Sequence, residues 1–282
     1  MALPASGPIT LADVQTEFGG ASPTSLGEYY AGGSYVPAGT QGLNGVIPSS
    51  SATSLFYFYG ASAAPPPIFE SGDAYRGAFY GNAGTTNTTV TLPPGTLSVV
   101  VTGRTAASGF GKPVISDITV AGNPATKLLA AHRPSSEYNQ ETSVWATNVS
   151  GTGPQSLSFT ITSYGGSVMV FALKRQFASI AYDSGAVDQR DVTADPLYAT
   201  VDFYKDGLTV CAWTTFLSPH YISTPFTDLY ASDTNYYSRP LAASILVPNT
   251  TELSRYFTAG NGQGGNDGQT LTVISFKPDR FV

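Results

Sequence analysis

The 282-residue sequence predicts an all-β body preceded by an extended N-terminal anchor with short helices. Three observations lead there. Short segments alternate apolar and polar side chains and are rich in Val, Thr, Ile and Phe, the pattern of half-buried strands. Turn-formers separate them, with 30 glycines and 20 prolines in the chain. No stretch keeps helical spacing long enough for a long helix.

Composition narrows the function. Charged residues make up 11% of the chain, against about 25% in a typical globular protein. The 41% hydrophobic content is ample for a buried core, which argues against disorder. A net charge of −6 with no cluster of Lys and Arg argues against a nucleic-acid partner. No apolar run approaches the roughly 20 residues that span a bilayer, and no signal peptide opens the chain. No membrane insertion is expected, and synthesis in a cytoplasm is. Cys211 has no partner cysteine and lies in an alternating stretch, 207–216, as a small buried hydrophobe on a strand.

The first sixty residues carry a threefold motif. Ile9 to Val14, Thr24 to Tyr29 and Thr53 to Phe58 align without gaps, each with a hydroxyl residue, then Leu, then a bulky apolar residue three positions on. The hydroxyl suits a helix N-cap, and Asp13 and Glu28 stand at capping-box distance from Thr10 and Ser25. Tyr57 occupies that place in the third copy. Leu11 with Val14, Leu26 with Tyr29, and Leu55 with Phe58 then share a face as apolar knobs. Helices this short are marginal alone. The knobs either cover one end of the protein's own core or dock into another subunit, and the sequence favours docking, by a segment that orders on its partner.

Ser6 to Val14, SGPITLADV, and Thr53 to Gly60, TSLFYFYG, resemble the units that open many virion proteins of tailed bacteriophages: tail fibres, appendages and minor structural proteins. The closing unit departs from that pattern at Ser51, Thr53 and Tyr57. The resemblance covers about the first sixty residues. It implies a virion component made in the host cytoplasm, other virion proteins as partners, and a homo-oligomer with a trimer favoured.

A proline hinge follows at 61–69, where three consecutive prolines favour a semi-rigid spacer. Beyond it, strands are predicted at 88–92, 97–103, 115–122, 143–149, 157–163 and 167–173. The set is repeated: Val168 to Lys174 aligns with Leu271 to Lys277, Leu157 to Thr160 with Leu253 to Thr258, and Thr89 to Val101 with Thr200 to Ala212. Duplicated antiparallel, jelly-roll-like β-sandwich modules at 70–177 and 178–282 are therefore expected, with one larger pseudo-symmetric sandwich as the alternative.

Little in the sequence points to catalysis, a metal or a cofactor. His132 and His220 lack zinc-site spacing, and no nucleophile motif or phosphate loop occurs. Asp183, Asp188, Asp191 and Asp195 read as turn residues, with a Ca²⁺ site or paired-carboxylate glycoside chemistry as the alternatives. Residues 261–268, NGQGGNDG, read as a hairpin tip. The densest aromatic loop, 220–239, presents Tyr221, Tyr230, Asn235, Tyr236 and Tyr237 for a glycan, packing being the plainer reading. The expectation is a non-enzymatic structural protein, with a host-polysaccharide adhesin second and a glycan depolymerase third.

Overall fold

The structure is a computed structural model that describes residues 3–20, 25–37, 40–50, 54–61, 68–69, 74–108, 114–133, 138–190, 196–214, 221–222, 230–232, 241–260 and 269–282. The protein is mostly antiparallel β-strand. It divides into two compact units, Met1–Pro67 with Val282, and Ile68–Phe281. The division falls inside the predicted hinge, whose proline run lies outside the described residues.

In the first unit, α1 (Leu11–Phe18) is the sole α-helix among the described residues. It ends at Gly19, whose φ of 82° suits glycine and whose N–H donates to Gln15 O at 2.8 Å. The other two motif copies are single 3₁₀ turns, Leu26–Glu28 and Leu55–Phe58. A small hairpin, β1 (Gln41–Gly42) and β2 (Gly45–Val46), lies between them in sequence. This unit is not an extended anchor. Leu3, Ile9, Val14, Phe18, Tyr29, Val36, Ile47 and Phe58 close a core of their own.

The second unit begins with β3 (Ala74–Leu92), β4 (Ser98–Ser108), β5 (Ile115–Val120), β6 (Asn123–Pro124), β7 (Thr126–Arg133), β8 (Tyr138–Asn148) and β9 (Gly153–Leu173). The two strands predicted at 157–163 and 167–173 are one strand, β9, which changes partners along its length. Its first half pairs with β5 and the end of β3, and its second half pairs with β4 and the start of β3. Gly166, near the change, comes so close to the Arg104 carbonyl that an added Cβ would lie 2.6 Å from the oxygen.

The remaining strands are β10 (Ser184–Arg190), β11 (Leu197–Phe203), β12 (Leu208–Thr214), β13 (Tyr221–Ile222), β14 (Tyr230–Ser232), β15 (Leu241–Leu246), β16 (Glu252–Gly260) and β17 (Gln269–Phe276). They form two sheets, ordered β10-β17-β12-β15-β14 and β11-β16-β13.

Three cores hold this unit together. Val99, Val101, Trp145, Val168 and Val170 pack with Val90, Ile115, Leu157 and Phe159. Cys211, Trp213, Leu271 and Val273 pack with Leu197, Val201, Phe203 and Phe257. Between them, Val100, Val144, Phe171 and Leu173 meet Val210, Ala243, Ile274 and Phe276. The predicted modules at 70–177 and 178–282 thus share a core within one compact unit. Strands β12 and β17 are covered on both faces and buried along their whole length, where a one-sided sandwich strand would alternate. The Thr142 and Thr272 hydroxyls, 3.0 Å apart, bridge the sheets inside the shared layer.

Pairing also corrects one alignment. Val101 pairs with Val170, and Val273 with Cys211, so with Val170 matched to Val273 the counterpart of Val101 is Cys211. The sequence alignment had set Val101 against Ala212. A one-residue slip moves every side chain to the opposite face, and Ala212 does face the shared core while Cys211 faces away from it.

Candidate docking and binding surfaces

The first unit is assembled by its caps and knobs. Thr10 and Asp13 complete a capping box: the Asp13 amide donates to Thr10 Oγ1 at 3.2 Å, and the Thr10 amide donates to Asp13 Oδ2 at 2.8 Å. The Thr10 hydroxyl also donates to that carboxylate, and these bonds hold the Asp13 carboxyl below its ordinary pKa. In the second copy the Ser25 amide donates to Glu28 Oε1 at 3.0 Å. In the third, Ser54 Oγ accepts from the Phe56 amide at 3.3 Å.

The six residues expected to dock lie in or against one core of this unit. Val14, Tyr29 and Phe58 are fully buried, and Leu11, Leu26 and Leu55 pack against the same core. Phe18 and Phe58 make an edge-to-face pair with centroids 5.8 Å apart. The Tyr29 hydroxyl donates to Gly19 O at 2.7 Å, which satisfies its buried polar end. Residues three apart on a short helix present one apolar face whether that face meets its own chain or another. Sequence spacing carries no information on which it meets.

Among the described residues, this unit exposes large apolar side chains that the sequence reading passed over. Leu43 is 67% exposed, Val46 49% and Phe56 56%. Two bonds tie the hairpin turn to the chain around the third motif copy: the Leu43 amide donates to Tyr59 O at 2.7 Å, and Asn44 Nδ2 donates to Phe56 O at 2.8 Å.

In the second unit, Tyr221 pairs across strands with Gly260, and Tyr230 with Ala243. Asn235, Tyr236 and Tyr237 lie outside the described residues, as do His220, Asp191, Asp195 and the 261–268 segment. His132 sits on β7 opposite Glu141 of β8. Cys211 is fully buried, and burial pushes its thiol far above the usual range, as for an inert core cysteine.

Asp183 is engaged structurally. Arg280 donates to both its oxygens, with Nη2 2.7 Å from Oδ1, and the Lys277 amide donates to Oδ2 at 2.8 Å. Burial works to raise its pKa, but the Arg280 and Lys277 contacts outweigh it and hold the carboxyl below its ordinary value. Asp188 Oδ2 accepts from the Tyr198 amide at 2.9 Å and pairs with Arg190 Nη2 at 3.1 Å. Among the described residues no group of three His, Cys, Asp or Glu side chains is placed to hold a metal ion. No described helix is long and apolar enough to cross a membrane.

Sequence reading also missed a row of planar side chains that runs from the end of β10 onto the outer face of the three-stranded sheet. The Tyr198 and Tyr256 rings stack with centroids 5.6 Å apart and planes 20° apart, and the Arg190 guanidinium lies 5.7 Å from the Tyr198 centroid. Partial desolvation, with Tyr198 and Asp188 close by, raises the Tyr256 phenol pKa. Alternation in LYATVDF already marks Tyr198 as outward-facing. The register that sets it beside Tyr256 is a tertiary property. Comparison with protein-family models, curated proteins and solved structures finds no match for this chain.

Proposed function

We propose that this chain is a non-enzymatic structural protein of a tailed-phage particle, in a tail, neck or head appendage, which attaches through its first unit and displays its β body. The observation that carries the reading is that the two motifs resembling phage units close one folded module. The Tyr59 hydroxyl of the closing unit donates to Gly7 O of the opening one at 2.8 Å. Leu3 N donates to Ala61 O at 2.8 Å, and Gly60 N to Pro4 O at 3.0 Å. A module with joined ends and its own core suits a reusable attachment unit. Its docking surface centres on Leu43, Val46 and Phe56, while the buried knobs stabilise it. No Lys, Arg or His precedes Arg76, and Asp13, Glu17 and Glu28 make the unit acidic, so a virion partner with a basic rim is complementary.

The body reads as a duplicated jelly roll. Strands β10 to β17 give orders 1-8-3-6-5 and 2-7-4. Among strands β3 to β9 the same pairings recur, with β3 supplying the first two strands and β9 the last two. Such a body, repeated in a homo-oligomer, faces neighbours or a host surface.

The test is to supply the chain with and without residues 1–67 during particle assembly and to assay purified particles for it. The full chain is expected to co-sediment with particles and the shortened one to remain free and folded. Co-sedimentation of the shortened chain, or absence of the full one, overturns the proposal.

A further inference from the structure

The row of planar side chains on the second unit has a composition that selects its ligand. Tyr198 is 39% exposed and Tyr256 54% exposed. Single exposed aromatics are ordinary, but here each ring is held by its neighbours: Arg190 lies over Tyr198, and Tyr198 stacks on Tyr256. Asp188 anchors the row from β10 by accepting the Tyr198 amide and pairing with Arg190. Rings fixed in this way lose little rotamer freedom when a ligand arrives.

Charge decides what that ligand is. The one cation of the row is neutralised by Asp188, and the chain carries a net −6, so neither a nucleic acid nor an acidic polymer is favoured. A purely apolar partner would strip water from the two phenol hydroxyls and give them no bonds in return. A pyranose ring meets both demands, with C–H groups for the aromatic surface and hydroxyls for the carboxylate, guanidinium and phenols.

We propose that Tyr198 and Tyr256, with Asp188 and Arg190 beside them, form a binding platform for a neutral saccharide. The platform is built from residues of β10, β11 and β16 other than the five that the sequence nominated, and it does not depend on the particle assignment.

Affinity electrophoresis of the full chain in native gels containing dextran, mannan, galactan or xylan, with alginate as the acidic control, tests it. At least one neutral polysaccharide retards the protein, and Tyr256→Ala and Tyr198→Ala each weaken that retardation on the order of tenfold, as expected for central aromatic contacts. Tyr256→Phe keeps the ring and retains most of the binding. All three variants keep the parent circular dichroism spectrum. Retardation by alginate alone, or by no neutral polysaccharide, overturns the proposal. So does binding that survives both alanine variants but is lost in Tyr236→Ala, which would place the site on the loop. A drop in light-scattering mass in the alanine variants, without sugar binding in the parent, would make the face a contact between copies and also overturn it.

Discussion

Phe58→Ala separates a core role from a docking role for the knobs of the first unit. Phe58 is fully buried and packs edge-to-face on Phe18. Removing a buried Phe side chain forfeits its transfer energy and leaves a cavity, together costing about 3–5 kcal/mol. A folded unit of about 60 residues has a net stability of only about 3–9 kcal/mol at typical per-residue values. The substitution therefore removes a third of that stability at the least, and at the upper end all of it. Leu43→Ala is the matched control, because an exposed side chain costs within about 0.5 kcal/mol. Hydrogen exchange followed by mass spectrometry reads the two units separately in the full chain. Phe58→Ala should strip protection from the Val14, Gly19 and Tyr29 amides and leave β12 and β17 protected, while Leu43→Ala changes neither. Unchanged first-unit protection in Phe58→Ala would refute the assignment of the knobs to an internal core and return them to a docking role.

Two further predictions concern the second unit. Asp183→Asn weakens the clamp on the C-terminal turn by about 1.5–3 kcal/mol, the usual worth of hydrogen bonds to a charged group. The folded-state pKa of Asp183 is lowered, so its stabilisation is present above the ordinary aspartate pKa near 3.8 and disappears as pH falls through the folded value. Thermal melts should show the parent and Asp183→Asn well separated at neutral pH and converging in acid; a gap that holds or widens in acid contradicts the assignment. Cys211 should not react with a thiol reagent until the protein unfolds, and Cys211→Ser should cost about 1–3 kcal/mol by burying a hydroxyl in an apolar core. Rapid labelling of the native protein, or a neutral serine variant in urea titration, would contradict the burial of β12 between two cores.

What the sequence determined by itself was local. Alternation at 97–103, 115–122 and 143–149 marks strands because side chains on a pleated strand alternate faces. Thr10 with Asp13 and Ser25 with Glu28 mark helix starts because their side chains reach amides three residues away. Cys211 was legible as a core residue from its neighbours. The tertiary structure decided where each apolar face goes. Val14, Tyr29 and Phe58 turn inward because three weak turns bury more surface against one another than any could alone. Leu208–Thr214 and Gln269–Phe276 are covered on both sides because the two halves of the body share a core. Tyr198 and Tyr256 are far apart in the chain and meet only through the register of β11 with β16. Local pattern specifies which side of an element is apolar or polar; what that side meets depends on contacts between segments distant in sequence, and those form only when the whole chain packs.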